Sequence, residues 1–355
     1  MKRLAIIIFD ITKQAGTERA VCNLSNLLVE SKKYAVSIIS LNSTYGKAAF
    51  DINGEICIYH LGLPECKNKI SRLKNYKLMI RKVDQICNEN KIDIIIGTSH
   101  AINTLFFLLR KKVRTIGCEH LNYMASPISS RILRKIIYPY LDAIVLLTKN
   151  DASHYSFCKN TVIIPNSLSF IQDKRSELTN KVILAIGRLT YQKGFDLLID
   201  AIALIKNECS GWEVRIIGTG EDIDKLERKI RNDKLESIIK IYPPTKNIIQ
   251  EYQQASIYLM SSRYEGFALV LIEAQACGLP IISFDCPEGP SDIITNNENG
   301  FLIDNGNICK MSKALLDLMN NKEKRIKFGE NAIINSEKYR SEKIFVLWND
   351  LLGNL

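Results

Sequence analysis

Histidine is scarce in this chain, four among 355 residues, and the ten cysteines are scattered with no Cys-x2-Cys pair among them. Zinc sites need clustered His and Cys ligands, and disulfide frameworks need spaced cysteine pairs, so the pattern argues against both. Reduced cysteines fit a cytoplasmic protein. Long apolar runs are also missing: none approaches the roughly 18 residues of a membrane-spanning helix. The run Leu4 to Phe9 follows Lys2 and Arg3 but ends at Asp10. It is too short for the core of a secretion signal and reads as a buried strand of a parallel sheet. No Gly-x-Gly-x-x-Gly turn follows that strand, which counts against a nicotinamide dehydrogenase. Acidic residues are thin in the first half, where residues 1–165 hold 12 Asp and Glu against 24 Lys and Arg, while the remainder holds 26 against 24. The net charge of +10 is therefore carried by the first half. Such a surface suits nucleic acid, an anionic membrane or a polyanionic acceptor. No stretch carries a nucleic-acid-reading motif or the interleaved aromatics of a single-strand binder, so nucleic acid is not expected as a partner.

The chain does have enough apolar content, 46%, to bury two cores. Apolar runs at 4–9, 35–41, 55–60, 93–98, 113–118 and 143–148 read as strands, as do 182–186, 213–217, 257–260 and 281–285, and residues 237–246 read as a strand followed by the loop Tyr242 to Lys246. Amphipathic segments alternate with them, including helices over 306–319 and 322–335, as in βαβ units.

The most informative stretch runs from Ser262 to Pro280. After the strand 257–260 comes a loop and then a helix, with Leu269, Ile272 and Ala276 on one face and Gly278 and Pro280 ending it. This puts Glu265 and Gly266 at the helix mouth, where free N–H groups favour a phosphate. Glu273 lies eight residues on, roughly 12 Å along the helix, too far for a glycosidase pair held about 5 Å apart. The two read as clamps on one long ligand. A nucleotide sugar fits, with its diphosphate over the helix N-terminus, its sugar at Glu265 and its ribose at Glu273. Arg188 and Lys193, in a loop flanked by Gly187 and Gly194, can converge on one polyanion.

Glu265 to Glu273, followed by Ala276-Cys277-Gly278-Leu279-Pro280, resembles the Glu-x7-Glu signature of the retaining glycosyltransferases of family 4. Gly187-Arg188-Leu189-x3-Lys193-Gly194 resembles the phosphate clamp of the same family. The resemblance implies the α/β GT-B fold, two Rossmann-like domains facing each other across a cleft. It implies an acceptor-binding domain over 1–168, a donor-binding domain over 169–338, and a terminal helix over 339–355 crossing back to the first. Thr161 to Ser167 resembles the junction that leaves the first domain, and the polar stretch Gln172 to Glu177 reads as the linker.

What the resemblance implies for residues is specific. Arg188, Lys193 and the helix N-terminus at Gly266 and Phe267, with Ala268 and Leu269 beside them, hold the donor diphosphate. Glu265 holds the sugar and Glu273 the ribose. Gly187 and Gly218 lie in loops near the nucleotide. Gly16, in a stretch resembling a Gly-Gly-x-Glu-Arg loop with Ala15 in place of the first glycine, approaches the donor phosphate or an acceptor hydroxyl. His120, after the strand 113–118, resembles the histidine beside the donor sugar. The catalytic set is thus Glu265, His120, Arg188 and Lys193. Asp222-Ile223-Asp224 has the pattern of a metal site but falls in a charged helix, and no metal or cofactor is called for.

The activity implied is retaining, metal-independent transfer from a nucleotide-diphosphate sugar, UDP-linked, to an oligosaccharide or lipid-linked glycan of bacterial surface polysaccharide, such as O-antigen or capsule. Residues 67–83 and the stretch Arg131, Arg134 and Lys135 with Ile132, Leu133, Ile136 and Ile137 are basic and amphipathic. They are candidates for docking on the inner face of the plasma membrane, although the first also reads as an ordinary surface helix. A nucleotide-sugar epimerase and a non-catalytic nucleotide-sugar binder are the alternatives.

Overall fold

The structure is a computed structural model that describes residues 1–64, 69–168 and 175–355, with no side chain described over 69–73. It divides into two units, one of Met1–Ser167 with Ser341–Leu355 and one of Leu168–Arg340. The first unit holds strands β1 (Lys2–Ile8), β2 (Tyr34–Ser40), β3 (Cys57–His60), β4 (Ile94–Gly97), β5 (Arg114–Glu119), β6 (Ala143–Leu146) and β7 (Thr161–Ile163). They form one parallel sheet in the order β3-β2-β1-β4-β5-β6-β7. Helices α1 (Gly16–Glu30), α2 (Lys69–Glu89), α3 (His100–Asn103), α4 (Ile128–Ile137) and α5 (Lys149–Ala152) lie in its connections.

The second unit is a six-stranded sheet ordered β10-β9-β8-β11-β12-β13. Its strands are β8 (Val182–Ile186), β9 (Glu213–Ile217), β10 (Ile239–Tyr242), β11 (Ile257–Met260), β12 (Ile281–Asp285) and β13 (Gly300–Asp304). Its helices are α6 (Phe195–Ala203), α7 (Ile223–Asn232), α8 (Ile248–Gln254), α9 (Leu269–Ala276), α10 (Pro290–Ile293), α11 (Ile308–Asn320) and α12 (Lys322–Ser336). The last helix, α13 (Ser341–Gly353), belongs to the first unit, where Ile344, Trp348 and Leu352 are buried. There Lys2 Nζ donates to the Leu352 carbonyl at 2.6 Å.

The central strands are apolar on both faces because helices cover both faces of a parallel sheet. Leu4 to Ile8 and Ile94 to Ile96 are all buried and pair in register, Leu4 with Ile94 and Ile6 with Ile96. In each sheet the strand order reverses once, between β1 and β4 and between β8 and β11. Open α/β sheets take ligands outside the carboxyl ends of their strands at such reversals.

Three expectations change. Along the described part of α2 the apolar side goes into the core, with Met79, Val83 and Cys87 buried at four-residue spacing, so its lipid-facing reading fails there. Lys67 and Asn68 lie outside the described residues, as do the side chains of Lys69 to Leu73. The polar stretch read as a linker is tied down at its described end: Ser176 N donates to the Cys277 carbonyl at 2.9 Å and Ser176 Oγ to the Ala255 carbonyl at 2.5 Å. Gln172 to Lys174 lie outside the described residues. The short strands β7 and β13 were not foreseen.

Candidate active site

In the second unit, the loop after β8 packs against the loop after β9. A Cβ on Gly218 would run into the Gly187 carbonyl and one on Gly220 into that of Leu189. Leu189 N donates to the Thr219 carbonyl at 2.9 Å. The close approach that needs Gly218 is therefore to the chain's own backbone. Gly194 starts α6 with φ of +62°, and a Cβ there would meet the Ser261 carbonyl. It lets the loop after β8 lie flat on the loop after β11.

That contact brings two motifs together. Lys193 Nζ donates to Glu265 Oε1 at 2.6 Å, and Ser262 Oγ donates to the same oxygen at 2.6 Å. Glu265 is buried. Arg188 is exposed, and among the described residues its side chain has a 3.5 Å contact from Nη2 to Gln192 Oε1. Gln192 in turn donates to the Tyr264 carbonyl at 3.1 Å. Arg263 fixes the base of this assembly, forking onto Asp196 at 2.9 and 2.7 Å with its guanidinium 4.1 Å from the Tyr191 ring centre. Burial alone would raise the Asp196 carboxyl, but the Arg263 fork and charge outweigh it and hold its pKa below the ordinary value. Sequence reasoning missed Arg263 and Asp196, whose spacing of 67 residues carries no local signal.

Helix α9 begins later than expected. It opens at Leu269, with Ala268 at φ of +60° as its cap. Glu265 and Gly266 therefore sit in the preceding loop, and Lys193 and Ser262 hold the carboxylate there. An alanine in the left-handed region is uncommon and marks local strain. The expected single apolar face is also corrected: Leu271, Ile272, Glu273, Ala274 and Gln275 are all buried, while Leu269 and Ala276 are partly exposed. The helix is enclosed nearly all round. Glu273 is wholly buried and accepts from Tyr252 OH at 2.9 Å. Phe267 packs its ring edge-on against Tyr339 at 5.7 Å, so what it offers a ligand is backbone.

In the first unit, Gly16 opens α1 at the β1/β4 reversal, and a Cβ there would meet nothing within 4 Å. The fold does not itself require a glycine at this position. His120 follows β5 and lines a small pocket with Ile6, Ile96, Cys118, Leu147 and Trp348. Burial pushes its imidazole down to about 4, so the ring is neutral at physiological pH. Glu119, the residue before it, lies in an unforeseen buried network. It accepts from Asn103 Nδ2 at 2.9 Å and from Tyr138 OH, and it stands 3.6 Å from Arg134. Arg134 donates to Tyr155 OH at 2.7 Å and is completely buried. Its reading as a membrane-facing cation is thus overturned. Among the described residues no cluster of three His, Cys, Asp or Glu side chains is arranged to hold a metal ion.

Comparison with known proteins fits this geometry to a class. Residues 168–334 match the family described as glycosyl transferases group 1. The chain is 32% identical to the amylovoran biosynthesis glycosyltransferase AmsD of Erwinia amylovora, over 99% of this chain and 100% of that protein. It is 27% identical, over 100% and 99% of the two chains, to a Campylobacter jejuni protein named GalNAc-alpha-(1->4)-GalNAc-alpha-(1->3)-diNAcBac-PP-undecaprenol alpha-1,4-N-acetyl-D-galactosaminyltransferase. A Staphylococcus aureus TarM mutant, solved with Fondaparinux, alpha-GlcNAc-glycerol and UDP, superposes with a TM-score of 0.81 at 17% identity, covering 99% of this chain and 100% of that one. The fold is GT-B. The chain belongs to the glycosyl transferases group 1 family.

Proposed function

We propose that the protein is a retaining, metal-independent glycosyltransferase of family 4 that moves a sugar from a UDP-linked donor to a lipid-linked glycan acceptor in bacterial surface polysaccharide synthesis, such as O-antigen or capsule. The observation that carries this reading is the 2.6 Å contact between Lys193 and Glu265, which joins the loops after β8 and β11 at the reversal of the second sheet. In the proposed roles, the exposed Arg188 takes the donor diphosphate as a planar fork and Lys193 adds a point charge. The backbone from Gly266 to Leu269, with Gly187 and Gly218 shaping the loops beside it, completes the anion site. Groups fixed in advance stabilise charge on the departing diphosphate, the work a divalent ion does elsewhere. Glu265 orients the sugar and Glu273 the ribose.

In the first unit the neutral ring of His120 serves the sugar by hydrogen bonding rather than by charge, and Gly16 leaves room for a ligand. The names of the relatives support the substrate class: one acts in amylovoran biosynthesis, another carries an undecaprenol diphosphate in its substrate name, and TarM was solved with UDP. The basic first half supports attachment to the inner face of the plasma membrane.

The test is incubation with a panel of nucleotide sugars and lipid-diphosphate glycans, with products read by mass spectrometry and anomeric NMR. We expect one donor to be used, retention at the anomeric carbon and full activity in EDTA. Loss of turnover on chelation that Mn²⁺ restores would remove the metal-free mechanism. Interconversion of the free nucleotide sugar without an acceptor would make the protein an epimerase, and tight UDP binding with no turnover would make it a binder.

A further inference from the structure

Helix α4 is built inside out. Ile128, Ile132 and Ile136 recur every four residues and so share one face, and they are 67%, 55% and 58% exposed, with Leu133 beside them at 45%. The one residue this helix buries is Arg134, held by Glu119 and Tyr155 with its guanidinium 4.7 Å from the Tyr123 ring centre. A surface helix of a globular protein does the reverse, turning its apolar stripe inward and its charges outward. The apolar surface continues on either side of the helix, through Leu121 and Met124 before it and Tyr140 after it, all more than half exposed. A run of exposed aliphatic side chains of this kind marks an interaction surface.

Charge selects the occupant. Between Asp93 and Asp142 the chain has a single acidic residue, Glu119, and it is buried. Over the same stretch Lys111 and Lys135 are exposed and Arg131 is half-buried. Helical geometry sets Arg131 and Lys135 to one side of the isoleucine row. An aliphatic face with one-signed positive flanks fits the boundary between headgroups and acyl chains in an anionic bilayer. A protein partner or a second copy of this chain gives no reason for the lack of acids.

We propose that α4, with the exposed residues at 121, 124 and 140, is the element that enters the surface of an anionic bilayer. This rests on the membrane-linked acceptor proposed above and moves the docking surface away from α2, whose described apolar side faces the core. On α2 the exposed Lys74, Lys77 and Arg81 add only charge. The anchor of α4, Arg134, pairs with Glu119, the residue next to His120, so the lipid-facing helix is tied to the segment that carries His120.

The experiment is sedimentation with vesicles rich in phosphatidylglycerol or made only of phosphatidylcholine, comparing the wild type with an Ile132→Ser, Ile136→Ser double variant. These side chains pack against no core, so the variant should melt at the wild-type temperature. The wild type should sediment with anionic vesicles at low salt, and the double variant should bind about tenfold more weakly, as expected when apolar insertion is lost. A Lys74→Gln, Lys77→Gln, Arg81→Gln variant should lose less. An Ile132→Trp variant should show blue-shifted emission on adding anionic vesicles. UDP affinity and turnover on a detergent-free, short-chain acceptor should be equal in wild type and double variant, which separates failure of docking from failure of the enzymatic reading. Equal sedimentation of wild type and double variant would overturn the proposal. So would recovery of the wild type in the supernatant with anionic vesicles, or a wild-type dimer in light scattering that the double variant breaks.

Discussion

At the scale of single residues the two glutamates of the motif are in different surroundings, and that difference predicts different kinetics. Glu265 shares one oxygen between Lys193 and Ser262, whereas Glu273 is enclosed in α9 with Tyr252. On the proposed roles, Glu265→Gln lowers kcat by about 10²-fold, the scale of losing one electrostatic contact to a transition state. Glu273→Gln chiefly raises the donor KM, as loss of uniform binding does. Steady-state kinetics on both variants separates these outcomes, and a common effect on KM alone would merge the two roles. His120 carries a second prediction. Its folded pKa, about 4, lies below the ordinary imidazole value near 6.5. Protonation therefore favours the unfolded chain, so stability is full above about pH 6.5 and declines as pH falls toward 4. An NMR titration should place the ring midpoint near 4, and His120→Gln should blunt the loss of stability between pH 7 and 5 in urea unfolding.

Arg188, Lys193, Glu265 and Glu273 could be singled out as candidates because each sits in a short motif with its own spacing. Their partners were not, since Lys193 meets Glu265 across 72 residues and Arg263 meets Asp196 across 67. Arg134 was misread for the same reason: a cation among isoleucines looks like the rim of a lipid face until Glu119, on another element, is known to face it.

Among the elements, two of the glycines assigned to ligand loops make opposite predictions. Gly218→Ala forces a Cβ against the Gly187 carbonyl, and backbone cannot yield as a side chain can. It should destabilise the second unit by about 1–3 kcal/mol, the range for overpacking, and weaken nucleotide binding with it. Gly16→Ala places its Cβ in open space and should leave stability within about 0.5 kcal/mol of wild type. Loss of activity in a Gly16→Ala protein of normal stability then reports the approach of a ligand, while unchanged activity removes Gly16 from the site. Urea unfolding and isothermal calorimetry on the same preparations give both readouts. The long strands were readable from the sequence because buried parallel strands are continuous apolar runs. β7 is three residues long and β13 only partly buried, so neither shows such a run. The start of α9 was misplaced because its cap, Ala268, is a residue type that rarely takes a left-handed conformation.

For the whole molecule, two units with separate cores predict two unfolding transitions rather than one. On the proposed donor site, UDP at a hundred times its Kd should stabilise the second unit by about 2.7 kcal/mol and leave the other transition in place. Calorimetric scans with and without UDP test this, and a shift of both transitions by equal amounts would show that the two units unfold together. The path of the chain has a further consequence, for biosynthesis. The second unit is one continuous segment, Leu168–Arg340, but the first is finished by its last stretch, Ser341–Leu355. At about 5–20 residues per second, translation of the intervening segment takes on the order of ten seconds or more. Through that interval the seats of Ile344, Trp348 and Leu352 stay open in the first unit, two of them, those of Ile344 and Trp348, beside His120. The part of the protein made first is therefore the last to close, and a ribosome that stalls near Arg340 holds back the stretch that completes a still sticky amino-terminal unit, the kind of nascent chain that chaperones hold.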